Sequence, residues 1–120
     1  MIAELTRSYE IDAAHRLPSV PKGHKCSRMH GHGFRIEVTV RGKVGKRTGW
    51  VMDYADVDGA VRPVVESLDH RTLNDIPGLA NPTSEVLAAW IWEQLAPRLP
   101  GLHEVAVSES PRARCAYRGE

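Results

Sequence analysis

From Gly33 to Gly42 the chain reads GFRIEVTVRG, and this stretch has the clearest periodicity of the sequence. Apolar residues alternate with charged or polar ones, so that Phe34, Ile36, Val38 and Val40 fall on one side of an extended backbone. Such alternation is typical of a strand that covers a core with one face and meets water with the other. The stretch therefore predicts a half-buried β-strand.

The neighbouring segments complete an α+β pattern. Residues 2–15 predict a first strand, 17–29 a loop, and Trp50-Val51-Met52 a short extended piece. Asp53, and then Thr83 or Ser84, are suited to begin two amphipathic helices, the first of which Pro63 is expected to bend. Two short strands are predicted near 103–109 and 114–117. The element order predicts an antiparallel four-stranded sheet with two helices packed on one face, in a single domain spanning residues 1–120.

Composition excludes several classes of protein. A net charge of +1 argues against a nucleic-acid partner, and no apolar stretch approaches the roughly 20 residues that cross a bilayer. The first residues lack a basic-then-apolar signal pattern, and two cysteines without framework spacing favour a reducing compartment. The sequence therefore predicts a cytoplasmic protein with no membrane partner.

His15, His30 and His32 form the strongest candidate site. His30 and His32 are two residues apart, so an extended backbone directs both rings to one side, and an antiparallel hairpin would bring His15 alongside. Three imidazoles are a good zinc site, and three protein ligands leave one coordination position free. Isolated histidines more often serve only as hydrogen-bonded core or surface residues, but this trio favours a catalytic metal.

Cys26 precedes the histidine pair in a polar loop that carries Lys22, His24, Lys25 and Arg28. Neighbouring positive charge stabilises a thiolate, which would make Cys26 a base or nucleophile beside the metal. As a fourth ligand it would instead close the metal site and make it structural. The spacing leaves both roles open, while Cys115 is interpreted as structural.

Two further features carry weaker signals. In Asp69-His70 the carboxylate can orient the imidazole for proton transfer, although such dipeptides are commonly only solvated. Glu109 ends a short predicted strand, and its two acceptor oxygens suit the paired N–H edge of an aminopyrimidinone.

With these residues in view, the chain resembles the 6-pyruvoyltetrahydropterin synthase family over nearly its whole length. The resemblance rests on blocks that occur in the family's order: Ala13-Ala14-His15-Arg16-Leu17, Lys25-Cys26 through His30-Gly31-His32, Gly49-Trp50-Val51-Met52-Asp53, Leu68-Asp69-His70, Leu73-Asn74-Asp75-Ile76-Pro77-Gly78-Leu79, Asn81-Pro82-Thr83-Ser84-Glu85 and Ala116-Tyr117-Arg118-Gly119-Glu120. Three residues separate Cys26 from His30, as in the family's 6-carboxytetrahydropterin branch of queuosine biosynthesis.

The resemblance implies a tunnelling fold (T-fold) that assembles into a homo-oligomer, a hexamer or tetramer, with active sites at subunit contacts. It implies Zn²⁺ on His15, His30 and His32, Cys26 as catalytic base, and Asp69 with His70 as a proton relay. Glu109 would anchor a pterin substrate, with His24, Lys25, Arg28 and Thr83 as further substrate contacts. The expected reaction converts 7,8-dihydroneopterin triphosphate to 6-carboxy-5,6,7,8-tetrahydropterin and releases acetaldehyde and triphosphate.

Three other functions stay open at this point. The sister reaction, triphosphate elimination to 6-pyruvoyltetrahydropterin, would use nearly the same residues. A non-catalytic zinc module would use Cys26 as fourth ligand. A zinc hydrolase would need neither Cys26 nor Asp69-His70.

Overall fold

A computed structural model of the protein describes all 120 residues. The chain forms strands β1 (Ile2–His15) and β2 (His30–Lys43), helices α1 (Tyr54–Leu68) and α2 (Ser84–Leu95), and strands β3 (Leu102–Ser110) and β4 (Ala113–Tyr117). Short 3₁₀ turns cover Lys25–Ser27 and Leu73–Asp75. Neither helix is long and apolar enough to span a bilayer.

The four strands form one antiparallel sheet in the order β1-β2-β3-β4. β1 and β2 pair along their full lengths, from Ile2 opposite Lys43 to His15 opposite His30. Each has 14 residues, or about 45 Å at the usual rise, which accounts for most of the molecule's 57 Å long axis. The predicted α+β arrangement and its four-stranded antiparallel sheet are confirmed.

One face of the sheet packs against both helices. The four alternating residues of β2, Phe34 to Val40, are at most 1% exposed, as the periodicity predicts. They share one apolar cluster with the buried faces of α1 and α2, which contribute Val57, Val61, Val64, Val65, Leu68, Leu87, Ala88, Ile91 and Leu95. The helices therefore leave the other sheet face, and the ends of the strands, for other contacts.

Side-chain caps begin both helices. An Asp53 carboxylate oxygen accepts from the Ala55 N–H at 2.9 Å, and the Thr83 hydroxyl accepts from the Val86 N–H at 3.1 Å. Of the two residues considered for the second cap, Thr83 is therefore the one used. α1 runs without interruption past Pro63.

Two local predictions need correction. Trp50-Val51-Met52 is not extended but forms a bend between the turn at residues 46–48 and α1. The second strand starts at His30 rather than near Gly33, because its first residues pair with β1 at Ala13, Ala14 and His15.

The segment that follows α1 covers the end of β1's outer edge. The His70 N–H donates to the Asp12 carbonyl at 2.6 Å, the Ala14 N–H donates to the Arg71 carbonyl at 3.0 Å, and Ala14 bridges Thr72 in parallel. These bonds fix residues 69–74 next to the strand end that carries His15.

Candidate metal and active site

Three histidine rings meet at one end of the β1–β2 hairpin. His15 lies directly opposite His30 in the register, and His32 lies two residues further along β2, opposite Ala13. The ring centroids are 4.6 Å (His15–His30), 4.8 Å (His30–His32) and 5.1 Å (His15–His32) apart. One nitrogen of each ring lies within 4.8 Å of those of the other two, a separation that one metal ion can bridge.

Backbone carbonyls set the tautomer of two of these rings. His15 Nδ1 lies 2.8 Å from the Pro82 carbonyl and His30 Nδ1 lies 2.7 Å from the Arg28 carbonyl. Because a carbonyl only accepts, each Nδ1 must carry the proton, and in a neutral ring each Nε2 then keeps its lone pair. These hydrogen bonds to the carbonyls orient the two imidazoles for metal binding through Nε2.

Two buried nitrogens lack any protein partner. His15 Nε2 and His32 Nε2 are both inaccessible to solvent and make no hydrogen bond. A buried unpaired polar atom costs about 1–3 kcal/mol, so two at one place call for an explanation. Burial, the largest influence, lowers the pKa of His15, which keeps its ring neutral as a metal ligand must be. The residues present therefore fit a divalent metal ion.

Cys26 borders the same site. A cavity of about 420 Å³ is lined by Lys25, Cys26, His30, Gly31, His32 and Glu109. Both backbone polar groups of Cys26 are hydrogen-bonded within the protein. The Cys26 N–H donates to His24 Nδ1, and the Cys26 carbonyl accepts from the Leu17 N–H. Cys26 thus shares one cavity with His30 and His32.

Glu109 reaches this cavity from β3. Its Oε1 accepts a 2.9 Å hydrogen bond from the Ser84 hydroxyl, and its Oε2 lies 3.8 Å from His32 Nε2. The side chain is 31% exposed, so the carboxylate remains accessible from the cavity. Ser84 was missed as a site residue in the sequence, since nothing in its spacing indicates a contact with a residue 25 positions away.

Of the other residues expected to contact substrate, one lines the cavity of Cys26 and three do not. Lys25 lines the Cys26 cavity, whereas His24, Arg28 and Thr83 do not. His24 accepts from Cys26, Arg28 supplies the carbonyl that orients His30, and the Thr83 hydroxyl caps α2. All three are therefore adjacent to the site through backbone or capping contacts.

Asp69 and His70 lie outside the cavity of Cys26. Asp69 Oδ1 accepts from the Asp12 N–H at 3.0 Å and lies 2.9 Å from His70 Nδ1. The Asp12 N–H, with a smaller contribution from His70, holds the pKa of Asp69 below its usual value. The His70 side chain is 76% exposed, and its backbone φ of 57° is uncommon outside glycine.

The cavity that His70 lines has a volume of about 500 Å³ and is also lined by Asp12, Gly31 and His32. Gly31 and His32 line the cavity of Cys26 as well, so the two cavities adjoin. Neither Asp69 nor His70 contributes to the cavity of Cys26. Within one chain, the expected base and the expected relay are therefore not brought into one pocket.

Comparison with known proteins places this chain in a family. Residues 4–120 match the family described as 6-pyruvoyl tetrahydropterin synthase. The chain belongs to that family. The resemblance seen in the sequence is thereby confirmed, and the sheet with its two helices is the family's T-fold.

Relatives in this family carry different activities in their names. The chain is 41% identical over 117 residues to 6-carboxy-5,6,7,8-tetrahydropterin synthase of Synechocystis, covering 92% of this chain and 89% of that protein. It is also 41% identical over 101 residues to dihydroneopterin monophosphate aldolase of Pyrococcus furiosus, covering 84% and 82%. The structure of Caenorhabditis elegans 6-pyruvoyl tetrahydropterin synthase superposes with a TM-score of 0.92 at 28% identity, covering 100% of this chain and 97% of that one.

Proposed function

We propose that the protein is a zinc-dependent lyase that converts 7,8-dihydroneopterin triphosphate and one water to 6-carboxy-5,6,7,8-tetrahydropterin, with release of acetaldehyde and triphosphate, in queuosine biosynthesis. The observation that carries the proposal is the cavity shared by two of the three clustered histidines, Cys26 and Glu109. The high identity to a 6-carboxytetrahydropterin synthase over most of both chains supports the choice of reaction within the family.

His15, His30 and His32 would hold the zinc ion through Nε2. When bound, zinc supplies Lewis acidity that polarises the substrate's side-chain oxygens and makes the adjacent C–H groups more acidic. The carbonyls of Pro82 and Arg28 keep two of the rings in the tautomer that this role requires.

Glu109 and Cys26 would act on the two parts of the substrate. Glu109 accepts hydrogen bonds from the pterin N–H edge, and the Ser84 hydroxyl holds its other oxygen in place. Cys26 Sγ, as thiolate, removes a proton from the substrate's side chain. Lys25 at the cavity wall, and His24, Arg28 and Thr83 around it, would contact the remainder of the substrate, including its triphosphate.

Asp69 and His70 would complete the proton transfers in a neighbouring subunit. An Asp69 carboxylate oxygen lies 2.9 Å from His70 Nδ1 and orients the ring, which suits His70 to deliver or accept a proton. Because neither residue lines the cavity of Cys26 and His70 is largely exposed, we propose that the pair lies at the contact between copies of a homo-oligomer, a hexamer or tetramer.

Product analysis tests this proposal. Zinc-loaded protein is incubated with 7,8-dihydroneopterin triphosphate, the pterin product is identified by mass, and acetaldehyde is trapped. A carboxypterin with an equal amount of acetaldehyde is expected. A pyruvoyl product without acetaldehyde would assign the sister reaction, and no turnover would overturn both.

A second substrate addresses the other relative. Because the chain is equally identical to a dihydroneopterin monophosphate aldolase, the same assay is run with 7,8-dihydroneopterin monophosphate. Cleavage of the monophosphate in preference to the triphosphate would contradict the proposed substrate.

A further inference from the structure

Asn74 lies outside the histidine cluster but bonds to two segments that meet there. It belongs to the 3₁₀ turn Leu73–Asp75 and is half-buried. Its Oδ1 accepts from the Arg16 N–H at 2.9 Å, and its Nδ2 donates to the Arg16 carbonyl at 2.8 Å and the Ala80 carbonyl at 3.3 Å.

These three bonds need a side-chain amide. The amide pairs with both backbone polar groups of Arg16, as a neighbouring strand would, and uses its second N–H on Ala80. A carboxylate of the same shape offers only acceptors, so it would set a negative charge against two carbonyl oxygens. Serine is too short to bond all three groups at once.

Both bonded segments lead to His15. Arg16 follows His15 directly, so its position fixes the backbone from which that ring projects. Ala80 lies two residues before Pro82, whose carbonyl accepts the His15 Nδ1–H at 2.8 Å. One side chain thus joins the backbone that carries the ring to the backbone that orients it.

We propose that Asn74 is a positioning residue of the metal site, which holds His15 Nε2 in the orientation required for binding. The inference rests on the proposed metal-binding role of the three histidines. His15 is 1% exposed and its Nε2 has no protein partner, so a displaced ring has no other favourable arrangement. Partners of this kind typically change metal affinity by about 10- to 100-fold.

The test compares metal binding in Asn74→Asp, Asn74→Ser and Ser67→Ala. Ser67→Ala is the matched control, because it removes a 2.6 Å side-chain bond to the Val64 carbonyl within α1 and leaves the bonds to Arg16 and Ala80 in place. Zn²⁺ affinity is measured by competition with a chromophoric chelator at fixed pH, and the visible absorption of the Co²⁺-loaded protein reports the geometry of the ligands.

We expect both Asn74 variants to bind Zn²⁺ at least about 10-fold more weakly and to shift the Co²⁺ spectrum, while Ser67→Ala changes neither. If Asn74→Asp does not fold, Asn74→Ser alone decides. Affinities within about 3-fold of wild type with an unchanged spectrum would overturn the inference, as would an equal loss in Ser67→Ala. Absence of metal binding by the wild-type protein would instead overturn the proposed function.

Discussion

The two cysteines of the chain have different surroundings. Cys26 lies in a 3₁₀ turn at the wall of the histidine cavity, whereas Cys115 lies in β4 against the apolar core. Burial, and to a lesser degree the charge of Glu85, raises the pKa of the Cys115 thiol and keeps it protonated. The chain therefore offers an internal comparison between a thiol beside the site and one remote from it.

Cys26→Ala is expected to lower kcat by about 10²- to 10⁴-fold, because the variant lacks the proposed general base. Zinc content should stay at the wild-type level, since the three histidines remain. Turnover is measured with zinc-loaded protein, and bound zinc is measured by elemental analysis. Cys115→Ala is the control and should keep wild-type turnover. Full activity in Cys26→Ala would remove Cys26 from the mechanism.

At the scale of elements, α1 is tied to β1 by an ionic cluster. The Asp58 carboxylate accepts two hydrogen bonds from the Arg7 guanidinium, at 2.7 and 3.1 Å, and one from the Tyr9 hydroxyl. These bonds hold the pKa of Asp58 at about 2, with Arg7 the largest influence. The pKa of Asp58 in the folded chain lies below its ordinary value of 3.8. The ionised carboxylate therefore stabilises the folded chain at pH values above 3.8.

Asp58→Asn is expected to lower the free energy of unfolding by about 1–3 kcal/mol at pH 7, because hydrogen bonds to a charged group are lost. The difference in free energy of unfolding between wild type and variant should stay constant down to about pH 5. It should then shrink as the pH falls through 3.8 towards 2. Urea unfolding at several pH values measures it. Glu66→Gln, on the exposed face of α1, is the control. A difference that grows on acidification would contradict this assignment.

Elements with strong local periodicity were predictable from the sequence. The alternation in β2 and the capping residues Asp53 and Thr83 indicated their elements correctly. The start of β2 was not predictable, because Gly31 and Gly33 disfavour strands and are held there by pairing with β1. The bend at Trp50-Val51-Met52 was not predictable either, because apolar composition does not distinguish a bend from a short extended segment.

The histidine cluster followed from periodicity and hairpin pairing together, since alternate residues share a face and antiparallel strands align their ends. The hydrogen bonds that support the cluster were not predictable in this way. Ser84 reaches Glu109 across 25 positions and Asn74 reaches Arg16 across 58. Such contacts are set by how helices and loops pack on the sheet, which local patterns do not encode.

At the scale of the whole molecule, the sheet has two open edges. β1 and β4 each pair on one side only, and residues 69–74 cover just the histidine end of β1. Unpaired strand edges favour pairing with another chain. Together with the position of His70 outside the cavity of Cys26, this supports the proposal that active sites form between copies.

Mixing two inactive variants tests shared sites. Cys26→Ala and His70→Ala subunits, co-expressed in equal amounts, should form assemblies in which about a quarter of the sites contain both intact residues. Activity should recover towards that fraction, whereas each variant alone stays inactive. Native mass spectrometry verifies that mixed assemblies form. No recovery in verified mixed assemblies would place both residues in one subunit's site.

The most direct test of an open metal site with a free thiol beside it is zinc X-ray absorption of the loaded wild-type protein. We predict three histidine nitrogens at about 2.0–2.1 Å, a remaining light-atom ligand and no sulfur. A sulfur at about 2.3 Å would make Cys26 a fourth ligand, close the site, and contradict its role as the base.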